Sequence, residues 1–158
     1  MNTQILTLKA DIAADLKAIA ALYTAIDRYG ICPTGEEQLI VVAYYLHNLY
    51  CAFESIFQRV AEVFENQLSD RAGWHAELLR RMALDITGIR PRMLSDATAD
   101  CLDELCRFRP IFHSAYRLHL DAERLALVCK KAQVLKLLYH ADMERFLLFL
   151  DSLLEPGA

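Results

Sequence analysis

The sequence predicts an all-α fold, a single domain of about five helices. Three observations predict it. Apolar residues recur at three-to-four spacing through long segments, glycine and proline stand between those segments, and no segment alternates with the period of two that a half-buried strand requires. With 158 residues, 55% of them hydrophobic and 24% charged, the chain can bury one core and is too short for two comfortable domains. One domain over residues 1–158 is therefore expected.

The first helix is expected from about Thr3 to Tyr29, because Leu8, Ile12, Leu16, Ile19 and Tyr23 fall on one face, and it stops before a loop carrying Gly30, Pro33 and Gly35. Thr34 is expected to cap the second helix, with Glu37 completing a capping box ahead of a run that reaches about Gln67. A third helix spans about Asp70 to Leu84. It ends at TGIRPR, whose glycine can terminate a helix and whose proline discourages resumption. The fourth is expected from about Asp96 to Leu118, and Asp121 caps a fifth that continues to about Leu154.

Composition narrows the function classes. The start, MNTQILTLKADIAADLK, has no basic region followed by an apolar stretch, and no run approaches the roughly 18 apolar residues of a membrane span. A cytoplasmic protein without a membrane partner is expected. Cysteines 32, 51, 101, 106 and 129 form no CxxC pair and read as buried thiols. Histidines 47, 75, 113, 119 and 140 show no HExxH spacing, so neither a metal nor another cofactor is expected.

The net charge of −4 argues against broad coating of nucleic acid, and no DNA partner is expected. The charge is unevenly spread, however. Residues 1–68 hold four Lys/Arg against eight Asp/Glu, whereas residues 69–131 hold eleven against nine. A polyanion is expected to meet the middle of the chain, although an ordinary solvated surface accounts for the same counts.

In that middle region the stretch RFRPIFHSAY, residues 107–116, concentrates two arginines, a histidine and a tyrosine. On an ideal helix Arg109, His113 and Tyr116 lie within about 40° of one face. Arg107 and Arg109 could grip a phosphate, and an imidazole with an ordinary pKa near ~6.5 can move protons at cellular pH. That is a minimal kit for cutting RNA without metal. The ribose 2′-hydroxyl attacks the neighbouring phosphate, histidine assists the proton transfer, arginine stabilises the extra negative charge, and Tyr116 can stack on a base or bind phosphate. Surface or interhelical contacts account for the same spacing.

Five blocks extend the pattern: YLHNLYCAFESIF (45–57), WHAELL (74–79), GIRPRML (88–94), LDELCRFRPIFHSAY (102–116) and LDAERL (120–125). In this order they resemble the HepT-like proteins of the HEPN superfamily, over about residues 38–153. The resemblance implies an all-helical, usually dimeric toxin ribonuclease, commonly encoded beside a small MNT-type nucleotidyltransferase antitoxin. Its hallmark is an arginine, four residues, a histidine, one residue and a tyrosine. Here the arginine matches Arg109 and the tyrosine matches Tyr116, but the histidine position holds Ser114.

Serine cannot shuttle a proton near neutrality without its own base, and His113 is one residue, about 100° of helix, too early. Pro110 removes an amide donor and disfavours helical geometry at Arg109, so a kink could bring His113 into use. Two readings stand. One is an RNA-cleaving toxin with an altered motif, in which Arg109 and His113 are catalytic and Arg107 and Tyr116 bind substrate, Tyr116 also being the residue a partner would adenylylate. The other is a non-catalytic helical module that binds a nucleotidyltransferase partner or a nucleotide.

Outside the stretch, Trp74 reads as a core anchor and WHAELL as a structural block. Glu54, among Phe53, Ile56 and Phe57, is either solvated or partly buried and paired with an arginine such as Arg109. Arg90 and Arg92 either solvate a turn or extend a phosphate groove, the turn being the favoured reading.

Overall fold

The computed structural model describes residues 1–30, 33–66, 72–113 and 120–155, His113 by its backbone alone. Five helices follow one another: α1 (Asn2–Asp27), α2 (Glu36–Glu65), α3 (Trp74–Met82), α4 (Asp96–His113) and α5 (Ala122–Ser152). The all-α architecture expected from the sequence is what the described residues adopt. Their one bridge of β type, Ile86 with Arg90, closes a turn.

α2 is the centre of the bundle and packs against the other four helices. Its buried residues Val42, Leu46, Leu49, Phe53, Phe57 and Val60 recur at the spacing of one helical face. α1 runs antiparallel to it, where Ser55 donates to Asp15 at 2.9 Å and Arg59 donates to Asp11 at 2.9 Å. α5 runs parallel to α2 and sets Tyr139 edge-on to Phe53, with centroids 5.4 Å apart. α1 and α5 then close on each other, for the buried Tyr23 hydroxyl donates to the Ala132 carbonyl at 2.7 Å and Lys136 pairs with Asp27 at 2.6 Å.

By length and composition alone α2 could cross a membrane, its best 18-residue window having a mean hydropathy of 1.3. That corrects the expectation that no such run exists. The apolarity has a local cause: a helix surrounded by four others must be apolar on more than one face.

One helix end corrected an expectation. The capping box of Thr34 and Glu37 does not form. Gly35, at φ +91°, is the N-cap of α2, and the Thr34 backbone amide donates instead to Gln38 Oε1 at 3.1 Å. Glycine alone adopts that φ cheaply, so the helix begins one residue later and Thr34 falls out of register. The expected start of the third helix at Asp70 lies outside the described residues, and α3 as described opens at Trp74 after Gly73. Asp121 does cap α5, accepting from the Glu123 amide at 3.0 Å.

The segment between α3 and α4 is folded back onto α3. The Met93 and Leu94 amides donate to the Met82 carbonyl at 2.8 and 3.0 Å, and both side chains are buried. Arg92 pairs at the surface with Asp85 and Asp96. Arg90 fits neither expectation, because its guanidinium is neither solvated nor free to take a phosphate. It is buried, its Nε donates to Glu65 Oε1 at 3.0 Å, and its other nitrogens reach the carbonyls of Arg81, Leu84 and Pro91. Arg81 also pairs with Glu65. The last turn of α2, the last turn of α3 and the loop thus share one buried carboxylate.

A second buried carboxylate ties α5 to the start of α4. Asp142 accepts from the Ser95 amide at 2.9 Å and the Ser95 hydroxyl at 3.0 Å, and pairs with Arg145 at 3.0 Å. Burial pushes its pKa up, but hydrogen bonds from Thr98 and Ser95 and the charge of Arg145 outweigh that and hold it below the usual carboxylate value.

Two expectations follow for stability. Arg90→Met takes from the buried Glu65 one of its two guanidinium partners, leaving Arg81, and strips donors from three carbonyls, and should cost about 3–5 kcal/mol in urea unfolding. Adding Glu65→Leu should recover part of that loss, because it removes a buried carboxylate that Arg81 alone answers. Asp142, its folded pKa being depressed, stabilises the fold above its unfolded value near ~3.9 and loses that contribution as pH falls through the lower folded value. The gap in urea midpoint between wild type and Asp142→Asn should therefore be wide at neutral pH and narrow in acid. An equal gap at both would contradict the assignment.

Candidate functional site

A cluster of polar and thiol side chains sits where α2, α3 and α4 meet. On α2, His47, Tyr50, Cys51 and Glu54 recur at the three-to-four spacing of a single helical stripe. Glu54 is the charged member, and it is 6% exposed. A buried carboxylate requires hydrogen bonds, and Glu54 Oε2 finds one at 2.7 Å from Nδ1 of His75, in the first turn of α3. The other ring nitrogen, Nε2, lies 2.7 Å from Nη1 of Arg109 on α4.

These two contacts set the tautomer. A guanidinium only donates, so Nε2 must present its lone pair to Arg109, and the proton of the neutral ring sits on Nδ1 and is donated to Glu54. The Trp74 ring, 3.7 Å between centroids, packs on the same imidazole. The string therefore holds a carboxylate, a neutral imidazole and a guanidinium in order, with the His75 side chain 23% exposed and that of Glu54 7%.

The surroundings are thiol and phenol. Burial pushes the Cys51 thiol up, and the Arg109 guanidinium draws it partly back. Burial likewise raises Cys106 on α4, and the neighbouring Tyr50 hydroxyl opposes that rise. The Tyr50 hydroxyl is raised by burial and by its neighbours Cys106 and Glu54. Toward the end of α4, Phe112 stacks on His47 with centroids 4.6 Å apart.

The residues of the quoted stretch separate. Arg109 turns inward to His75. Arg107 stands on the exposed side and pairs with Asp103 at 2.9 Å, so the two guanidinium groups do not form one phosphate grip. α4 continues through Pro110 to His113. Ser114 and Tyr116 lie outside the described residues, as does the side chain of His113.

Glu54 is buried and linked to Arg109 as the paired alternative supposed, but through His75 rather than directly. Trp74 is partly buried against the core. The participant that sequence reasoning missed is His75, passed over because its block reads as structural. The available signal was indirect: a glutamate in an apolar stripe of a long helix needs a partner, and WHAELL places a histidine at the start of the next helix.

A family model described as HepT-like protein matches residues 41–150, from the second turn of α2 to the last turn of α5. No curated protein and no solved structure matches the chain. With the greater part of its length under that family model and with the all-helical fold the resemblance implies, the chain belongs to the HepT-like family of the HEPN superfamily.

Proposed function

We propose that the protein is a metal-independent endoribonuclease of the HepT type, the RNA-directed half of a toxin and antitoxin pair. It acts in the cytoplasm as a homodimer, and its activity is weakened by Ser114 at the family's histidine position. The observation that supports this reading is Arg109, the residue matching the family arginine, whose guanidinium sits 2.7 Å from an imidazole at the junction of three helices. A fixed guanidinium beside a neutral imidazole is what phosphoryl transfer from a ribose 2′-hydroxyl asks for, charge stabilisation next to a proton acceptor. Family membership supports the same class of chemistry.

A second reading is favoured by a specific observation. One nitrogen of Arg109 is already engaged by His75, and position 114 carries no imidazole. Both suit a non-catalytic helical module that binds a nucleotidyltransferase partner or a nucleotide. The two readings divide on one assay. Purified protein incubated with a mixed RNA pool in EDTA should generate fragments ending in 2′,3′-cyclic phosphate, and Arg109→Gln should slow cleavage by about 10²- to 10³-fold. Intact RNA after prolonged incubation with wild type would leave the binding module.

The partner is proposed on the family resemblance: an MNT-type nucleotidyltransferase that neutralises the protein by adenylylating Tyr116. The added phosphate brings negative charge into a site built for phosphate, and so blocks it. Co-expression with such a partner should add the mass of one nucleotide or more to the 18.0 kDa chain, and Tyr116→Phe should abolish the gain. A gain that survives the substitution would place the modification elsewhere.

A further inference from the structure

An imidazole beside Arg109 comes from α3, that of His75. A purely structural pairing of Glu54 with Arg109 has no need of it. A direct carboxylate–guanidinium fork would bring the two charges together and satisfy more of the guanidinium. Instead His75 is interposed, and Arg109 Nε is buried with no hydrogen-bond partner among the described residues. Such a string is a costly way to bridge helices, but it is how an imidazole is aimed: a carboxylate fixes one ring nitrogen so that the other presents its lone pair to a reaction site.

We infer that His75, oriented by Glu54, is the general base of this protein and that Arg109 is the phosphate clamp beside it, so that α3 supplies the imidazole missing at position 114. The inference rests on the ribonuclease reading above. His75 is the more open of the pair, its side chain being 23% exposed, whereas Glu54 behind it is 7% exposed. It also stands in the first turn of α3, where backbone amides without helical partners and the positive end of the helix dipole favour an incoming anion.

The step balances without a further reagent. A scissile phosphate draws the Arg109 guanidinium onto its oxygens, which frees Nε2 of His75. The 2′-hydroxyl gives its proton to Nε2 as the bond from O2′ to phosphorus forms and the bond from phosphorus to O5′ breaks. The departing O5′ takes a proton from solvent, and the imidazolium, held by the Glu54 carboxylate, returns its own proton to solvent. The products are a 2′,3′-cyclic phosphate and a 5′-hydroxyl.

The test compares initial cleavage rates in EDTA for wild type, His75→Asn, His75→Gly and His113→Ala, each checked for folding by thermal melting. His75→Asn keeps a side-chain amide able to donate toward Glu54 while removing the base, and should lower kcat by about 10²- to 10⁴-fold with KM little changed. Adding imidazole to His75→Gly should restore cleavage, and the restored rate should follow the basicity of substituted imidazoles, a dependence that a structural role does not produce. Should His75→Gly not fold, His75→Asn decides the matter alone. Folded His75→Asn at the wild-type rate, or folded His75→Gly that imidazole does not rescue, overturns the assignment. So does loss of cleavage confined to His113→Ala. Those outcomes leave the ribonuclease reading standing, whereas a wild type that cuts no RNA overturns both.

Discussion

The central helix of this bundle carries two buried carboxylates, and each has to be answered from another element. Glu54 and Glu65 are eleven residues apart, three turns of helix, and therefore share a face of α2 to within about 20°. α3 lies along that face and answers both. His75 in its first turn meets Glu54, and Arg81 in its last turn meets Glu65. A nine-residue helix is too short to be stable by propensity alone, so its place is set by these two polar anchors together with the burial of Leu78, Leu79 and Met82. The loop that follows brings Arg90 to the lower carboxylate, and α4 brings Arg109 to the imidazole that holds the upper one.

The two anchors differ in what they leave over. At Glu65 the guanidinium of Arg90 is buried and spent on the carboxylate and three carbonyls, which is a closed structural knot. At Glu54 the imidazole stands between the charges, and Arg109 Nε has no hydrogen-bond partner among the described residues. An arginine with a spare donor beside a part-exposed ring is chemically open. The same physical demand, neutralising a carboxylate inside a helical bundle, thus yields a fastener at one end of α3 and a candidate site at the other.

Much of the fold was legible because it depends on periodicity. The apolar spacing of α1, the length of α2 and the Asp121 cap of α5 are local properties, and each is present as read. The site was legible only in part. Arg109 stood out by its place in RFRPIFHSAY, but its partner is 34 residues away in sequence and meets it only after α3 has docked on α2. Arg90 shows the same limit from the other side. An arginine next to proline in a loop looks solvated until tertiary packing surrounds it, and no local rule reports the carbonyls of Arg81 and Leu84. Thr34 failed for a smaller reason, a glycine one residue later that moved the helix start.

Proton transfer depends on where the imidazole is, not on which helix carries it. On α4 the geometry is unforgiving, because the histidine and the arginine ride the same cylinder and a one-residue offset turns the ring by about 100°. Adjusting that relation requires bending the helix itself, and Pro110 is the one residue of the stretch suited to do so. An imidazole delivered from α3 escapes the constraint. Its distance to Arg109 is set by how α3 packs between α2 and α4, and a carboxylate already buried on α2 holds the ring from behind. An imidazole thus stands beside Arg109 independently of which residue occupies position 114.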